Sequence, residues 1–184
     1  MVARISRGVL QRILAHAASE PGREVCGLLL GAAQNPFALS LSKPVLSDAA
    51  GGVEGGRPSS SAPREGGRTG LRQAQPERVD SVVETANVSP DPTTTFELDP
   101  ATLFAVLRAE RAGGPRILGH YHSHPNGSPT PSTRDAAMAL QPGRLWLIVA
   151  ADAARMWREE PGGAMHGAFE PVELVVDRAD DGCT

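Results

Sequence analysis

The sequence of 184 residues has few of the features that mark disulfide-stabilised or nucleic-acid-binding proteins. Its two cysteines, Cys26 in an apolar run and Cys183 at the penultimate position, do not make a disulfide framework, which indicates a reducing compartment. Aromatic residues make up 4% of the chain, too few for a platform that stacks nucleotide bases. Lys43 is the only lysine and the net charge is −3, so the sequence carries no basic footprint for a nucleic acid.

Long apolar segments are scarce as well. The N-terminal stretch begins with positive charge, but Arg7, Arg12 and His16 interrupt it, whereas a secretory signal needs an unbroken apolar core. No window approaches the length of a membrane span. We therefore expect a cytoplasmic protein that has neither a nucleic-acid nor a membrane partner.

A stretch of biased composition interrupts the chain. Residues 46–80 are rich in Gly, Ser, Pro and Arg and contain few residues that could build a core, which predicts a disordered insertion or a long loop. The remainder has the common size of one domain. We expect a single domain over residues 1–176 with 46–80 as its insertion, followed by a C-terminal tail at 177–184.

Apolar spacing and capping residues predict three helices, at residues 6–18, 101–114 and 132–140. Short apolar or alternating runs between turn signals predict strands, at residues 24–31, 37–45, the start of 81–100, 116–122, 144–150 and twice within 154–176. Strands and helices mix without strict alternation. This order favours an α/β (α+β) sandwich over a doubly wound sheet.

Three of the five histidines lie within residues 117–135, ILGHYHSHPNGSPTPSTRD. His122 and His124 are two positions apart, and on a strand such residues project from one face, so their imidazoles can converge on one point. Asp135 follows a tight Pro/Gly loop and could supply an oxygen ligand. Two imidazoles and one carboxylate suit zinc, and three protein ligands leave a fourth position for water, as in catalytic zinc sites.

Each half of this motif also has an ordinary structural explanation. Ser132-x-x-Asp135 has the pattern of a helix capping box, and a His-x-His pair also occurs as core or surface groups. His120 shares the face of the pair and is expected to pack near it, while Cys26 is expected to be a small buried hydrophobe. The occurrence of both halves across one tight loop favours the metal site.

The whole pattern, His-x-His-Pro, six residues and then Ser-x-x-Asp, closely resembles the motif of the JAB/MPN (JAMM) metallopeptidases, and the chain is similar in size to their short bacterial members. The resemblance implies that His122, His124 and Asp135 hold zinc, and that Ser132 helps to stabilise the transition state. The four residues stand at the spacing that the family motif has.

Two further segments resemble the same family. PGREVCGLLLG is similar to an early strand that carries the family's catalytic glutamate, which corresponds to Glu24; without the metal motif, Glu24 would be an ordinary carboxylate at a strand end. NVSPDPTTTFELDP is similar to the stretch that precedes the family's helix, through Asn87 and Phe96. The resemblance thus extends over most of residues 1–176.

The resemblance implies a fold and a reaction. The fold is a single JAB/MPN-type domain, cytidine-deaminase-like, with a central mixed β-sheet flanked by helices. The reaction is zinc-dependent hydrolysis of a peptide or isopeptide bond, with water activated by zinc and Glu24, after the C-terminal Gly-Gly of a ubiquitin-like or sulfur-carrier protein.

Other functions compete with this one. The alternatives are a non-catalytic scaffold that keeps the MPN fold and a peptidase acting on cell-wall peptides. A nucleoside deaminase would need His-x-Glu followed by Pro-Cys-x-x-Cys, and the sequence has neither. Only LQPGR separates the predicted helix at 132–140 from the next strand, so the insertion with which family deubiquitinases grip linked chains is not expected.

Overall fold

The computed structural model describes residues 1–33, 76–125 and 127–177. These residues form eight strands and three helices, in the order β1 Val2–Ser6, α1 Arg7–Ser19, β2 Cys26–Ala33, β3 Glu77–Val79, β4 Ser81–Thr85, α2 Pro100–Arg111, β5 Pro115–Ser123, α3 Thr133–Met138, β6 Leu145–Ala150, β7 Ala153–Gly163 and β8 Gly167–Asp177. None of the helices in the described parts of the chain has the length and apolar character needed to cross a membrane.

The strands form one mixed sheet in the order β3-β1-β8-β7-β6-β5-β2-β4. The β1/β3, β1/β8 and β5/β6 pairs are parallel, and the other neighbours are antiparallel. The two outermost strands, β3 and β4, are separated in the chain by Asp80 alone, whose amide donates to the carbonyl of Leu30 in β2 at 2.8 Å. The sheet is therefore curled, so that one continuous segment, residues 77–85, contains both of its outermost strands. This arrangement shields strand edges from pairing with other chains.

The helices cover both faces of the sheet because neighbouring residues of β2 point in opposite directions. Leu29 belongs to the core cluster on which α1 packs through Ile13, whereas Leu28 and Leu30 contact the apolar side of α2. A third cluster, on which Ala136 of α3 packs, contains Cys26, Phe96, Trp146, Ile148, Trp157 and Phe169. Burial on both faces explains the nearly continuous apolar runs of β2 and β6.

The expected fold class is confirmed: a mixed sheet is flanked by helices, and the helices predicted at 6–18, 101–114 and 132–140 are α1, α2 and α3. Ser6 caps α1, since its side chain accepts from the amide of Val9 at 3.2 Å. The strand predicted at 37–45 lies outside the described residues.

Two boundaries and one strand differ from the sequence prediction. The proposed insertion at 46–80 extends too far, because Glu77–Val79 form β3 and Val79 is fully buried; its first 30 residues lie outside the described part of the chain. The tail begins too early, because Asp177 still pairs with Ser6. β1 was not predicted, since five residues with only Ala3 and Ile5 buried give a weak alternation.

Candidate metal centre

The histidine pair stands at the end of β5, where two neighbouring segments fix the backbone. Ser123 exchanges two hydrogen bonds with Val25: its amide donates to the Val25 carbonyl at 3.0 Å, and its hydroxyl accepts from the Val25 amide at 2.9 Å. The amide of His124 donates to the carbonyl of Val149 at the end of β6, at 2.8 Å. His122 is fully buried, and His124 lies just beyond the strand. The ligand pair thus rests on rigid backbone between β2 and β6.

Asp135 reaches the pair from the first turn of α3. The Ser132 hydroxyl accepts from the Asp135 amide at 3.1 Å, and Asp135 Oδ2 accepts from the Ser132 amide at 2.6 Å, so the capping box is present. The same carboxylate faces both imidazoles. The capping and ligand interpretations of Ser-x-x-Asp are therefore compatible, because one carboxylate has enough lone pairs for both contacts.

The three side chains come together at separations that suit a metal ion. His122 Nε2 lies 3.0 Å from His124 Nε2 and 3.3 Å from Asp135 Oδ1, and His124 Nε2 lies 3.4 Å from Asp135 Oδ2. Ligands about 2.0–2.1 Å from a tetrahedral ion are about 3.3 Å from one another. The donor set and its spacing therefore fit a tetrahedral ion such as zinc.

The imidazole rings are oriented by different means. His124 Nδ1 lies 3.0 Å from the carbonyl of Ser128, which accepts the Nδ1 proton and leaves Nε2 facing the cluster. His122 Nδ1 has no hydrogen-bond partner among the described residues. Its ring instead stacks on Phe96, with centroids 4.4 Å apart and planes 17° from parallel. A hydrogen bond fixes one imidazole and an aromatic stack fixes the other.

The ionisation of the cluster follows from burial and mutual hydrogen bonding. Burial acts to raise the pKa of Asp135, but hydrogen bonds from His122 and His124 outweigh it and hold that pKa far below its usual range. Burial lowers the pKa of His122. Burial also opposes the charge on His124, but hydrogen bonds to Asp135 and the Ser128 carbonyl raise its pKa. A permanent carboxylate beside His122 in its neutral form is a ligand arrangement ready for a cation.

Glu24 lies in the same cleft, just before β2. It is 6% exposed and borders a cavity of about 330 Å³ together with His124, Ser132 and Arg134. Burial raises the pKa of the Glu24 carboxyl to about 7, although the neighbouring His124 acts to lower it. A glutamate that binds and releases a proton near neutral pH is suited to general acid–base work.

The remaining predicted residues also have clear positions. His120 packs against Trp146 and Phe96, at centroid distances of 4.0 and 5.2 Å, and burial lowers its pKa to about 3, so its ring is neutral. The expectation that His120 packs beside the ligands is confirmed. Cys26 is fully buried as expected, with its thiol 3.4 Å from the Thr85 hydroxyl.

The loop that carries Ser132 is braced by residues that the sequence did not single out. Trp157 Nε1 donates to the carbonyl of Pro129 at 3.0 Å, and His166 Nε2 lies 3.0 Å from the carbonyl of Pro131. No local signal marks these contacts, because β7 and the β7–β8 turn meet the loop only in the folded chain.

The chain belongs to the Prok-JAB family: the model of the prokaryotic homologs of the JAB domain matches residues 6–161. In structure, the chain is similar to a protein from Desulfitobacterium hafniense, with a TM-score of 0.65 over 98% of this chain and 96% of that one, at 18% sequence identity. At that identity the likeness shows the shared fold alone.

Two curated relatives match part of the sequence. Desampylase from Haloferax volcanii is 33% identical over 92 residues, which cover 50% of this chain and 63% of the relative. The protein named "Probable TtuB-protein conjugate cleaving protease" from Thermus thermophilus is 42% identical over 74 residues, which cover 40% of this chain and 48% of the relative. The matched segments thus span less than two thirds of each relative.

Proposed function

We propose that this protein is a zinc-dependent metallopeptidase that hydrolyses a peptide or isopeptide bond. The observation that carries the proposal is the spacing of His122, His124 and Asp135, whose donor atoms lie within 4.8 Å of one another. Glu24 and Ser132 border the same cleft. Ligands, a proton carrier and a hydroxyl donor within one cleft support metal-assisted amide hydrolysis as the reaction class.

The three ligands favour zinc, because it accepts imidazole nitrogen and carboxylate oxygen in a tetrahedron and leaves one position open when the protein supplies three groups. When bound, zinc supplies Lewis-acid chemistry, making water a nucleophile near pH 7 and polarising a carbonyl group. His122, His124 and Asp135 hold the ion, and the capping box keeps the Asp135 carboxylate directed at both imidazoles.

Glu24 and Ser132 do the proton transfer and the charge stabilisation. Glu24 accepts a proton from the attacking water and delivers it to the departing amine nitrogen as the carbon–nitrogen bond breaks. The Ser132 hydroxyl uses a lone pair to accept from the Asp135 amide, which leaves its own proton for the oxygen that develops negative charge. No residue forms a covalent bond to the substrate.

The substrate we propose is the C-terminal Gly-Gly segment of a ubiquitin-like or sulfur-carrier protein, in a conjugate or a C-terminal extension. The names of the two curated relatives, a desampylase and a TtuB-conjugate protease, support this class. The cleft supports it too, since Thr93, Thr94 and Thr133 line it beside Glu24. An extended Gly-Gly segment has no side chains, so its backbone can lie close to these residues and to the metal ligands.

The test measures metal content together with cleavage. We expect one zinc per chain and cleavage of a ubiquitin-like carrier extended past Gly-Gly, abolished by a chelator and restored by zinc. His122→Ala is expected to lose the metal. Glu24→Gln is expected to keep the metal and lose turnover, whereas its control, Glu20→Gln at the exposed end of α1, keeps both. Chelator-resistant cleavage, or full turnover in Glu24→Gln, would contradict the proposal.

A further inference from the structure

The side chain of Asn87 makes four hydrogen bonds. Its Nδ2 donates to the carbonyl of Glu24 at 2.8 Å and to the carbonyl of Thr95 at 3.0 Å. Its Oδ1 accepts from the amides of Ser89 and Glu97, each at 3.0 Å. A carboxamide has two donor hydrogens and two acceptor lone pairs, so the amide of Asn87 is fully used. One side chain thus joins Glu24 to both ends of the segment 88–97.

The same segment also holds the other backbone group of Glu24. The Glu24 amide donates to the carbonyl of Pro92 at 2.7 Å. Glu24 precedes the first residue of β2, Cys26, and the ladder between β2 and its neighbours begins at that cysteine. The sheet therefore orders the residues after Glu24, and segment 88–97 with Asn87 orders Glu24 itself.

The far side of segment 88–97 is tied to the metal ligands. The guanidinium of Arg134 donates to the Thr94 hydroxyl and lies 3.8 Å from the carboxylate of Asp91. Arg134 immediately precedes Asp135 in α3. Phe96, from the same segment, stacks on His122. Segment 88–97 therefore touches the proton carrier, one of the three ligands, His122, and the residue that precedes another, Arg134, and Asn87 fixes the segment at its base.

We infer that Asn87 is a positioning residue for the reaction, setting the place of the Glu24 carboxylate relative to the metal ligands. The inference rests on the proposed function for its effect on catalysis. Asn87 acts through the Glu24 backbone and through the conformation of segment 88–97, and it contacts none of the three ligands. A displacement of about 1 Å at a proton carrier costs about 100-fold in rate, so the loss of this amide should change turnover.

The variant Asn87→Asp removes the hydrogen bonds that Asn87 donates to the Glu24 and Thr95 carbonyls. Aspartate keeps an acceptor for the Ser89 and Glu97 amides but replaces the donor that faces the Glu24 and Thr95 carbonyls with a second acceptor. Val88→Ala, on the same segment with a side chain 44% exposed, is the matched control. We expect kcat of Asn87→Asp to fall about 10- to 100-fold with KM and zinc content unchanged, and we expect Val88→Ala to match the parent.

A readout that does not depend on cleavage separates this inference from the proposed function. Amide hydrogen exchange of the full chain should show about tenfold less protection at the Glu24 amide in Asn87→Asp than in Val88→Ala. If the parent cleaves no carrier, the proposed function fails, and the exchange result alone decides whether Asn87 orders Glu24.

Two outcomes overturn the inference. One is an unchanged kcat together with unchanged Glu24 protection in Asn87→Asp. The other is that neither Asn87→Asp nor Asn87→Ala folds, because Asn87 would then be required by the fold as a whole. A loss confined to thermal stability, with full turnover of the folded protein, also counts against a positioning role.

Discussion

Phe96 lies almost parallel to His122, with ring centroids 4.4 Å apart. This contact orients a ligand whose Nδ1 has no hydrogen-bond partner in the described part of the chain. Metal-binding histidines usually donate their second nitrogen to a carboxylate or a carbonyl, as His124 does to Ser128. At His122 an apolar stack therefore takes over the orienting role, which places Phe96 at the candidate metal centre although it offers no ligand atom.

Phe96→Leu tests this role. Leucine keeps the site apolar and costs about 1 kcal/mol in the free energy of unfolding, but it leaves the His122 ring free to tilt. We expect the zinc affinity, measured by competition with a chelator, to fall about tenfold. Phe169→Leu is the matched control, since Phe169 is buried in the same cluster against Trp146. An equal loss of affinity in both variants would show that general packing, not the stack, matters.

The pH dependence of cleavage tests the role of Glu24. Its carboxyl has a pKa raised to about 7, chiefly by burial, and works as a base only when unprotonated. The fraction of molecules in which Glu24 is unprotonated therefore falls about tenfold per pH unit below the pKa. A cation at the ligands stabilises the carboxylate, so we expect kcat/KM to decline on the acid side with an apparent pKa at or below about 7.

Glu24→Gln should remove this decline of kcat/KM on the acid side and lower kcat by about 10²- to 10⁴-fold, because glutamine cannot carry the proton. Glu20→Gln should keep both the acid-side decline of kcat/KM and the kcat of the parent. The measurement is kcat/KM from pH 5 to 8 at saturating zinc. A Glu24→Gln profile that keeps the parent's acid-side decline would exclude Glu24 as the group whose titration causes it.

Local sequence could predict that the side chains of His122, His124 and Asp135 meet, because their geometry is local. His122 and His124 share a strand face by the two-residue repeat of a strand, and Asp135 stands three residues after its N-cap. The buried character of Cys26 and the strands β5 and β6 followed from apolar runs in the same way. Each of these predictions needed only neighbours within one or two elements.

Other features depend on contacts between distant segments and had no local signal. Segment 77–85 borders both ends of the curled sheet, a relation that exists only after β1, β2 and β8 have assembled. Asn87 and Phe96 entered through resemblance alone, and no spacing rule predicts four hydrogen bonds to one amide or a stack on His122. His166 likewise meets the Ser132 loop across 35 positions. Tertiary contacts, not propensities, decide these features.

Cys26 offers a test of how rigid the strand beside the site is. Burial raises the pKa of its thiol, although a hydrogen bond with Thr85 acts to lower it. A buried thiol reacts only after the strand opens. In a Cys183→Ser background, we expect alkylation of Cys26 at pH 8 to be about 100-fold slower in buffer than in urea. Equal rates in the two solvents would show that the start of β2 opens readily.

A pair of deletions tests whether residues 76–80, which include β3, contribute to the stability of the domain. Deleting 46–75 leaves all described strands in place, and we expect the melting temperature to change little. Deleting 46–80 also removes β3, which pairs with β1 over three positions and buries Val79 completely. Burying such a side chain contributes about 2–3 kcal/mol.

For a domain of this size, the longer deletion should lower the melting temperature by about 5–10 °C relative to the shorter one. Removing β3 also exposes the outer edge of β1, so the longer deletion should be the more prone to association, which light scattering measures. Val79→Ala in the full chain separates side-chain burial from strand pairing, because it keeps the backbone of β3. If the two deletion variants melt at the same temperature, β3 contributes nothing to stability. The insertion would then end at residue 80, as the sequence predicted.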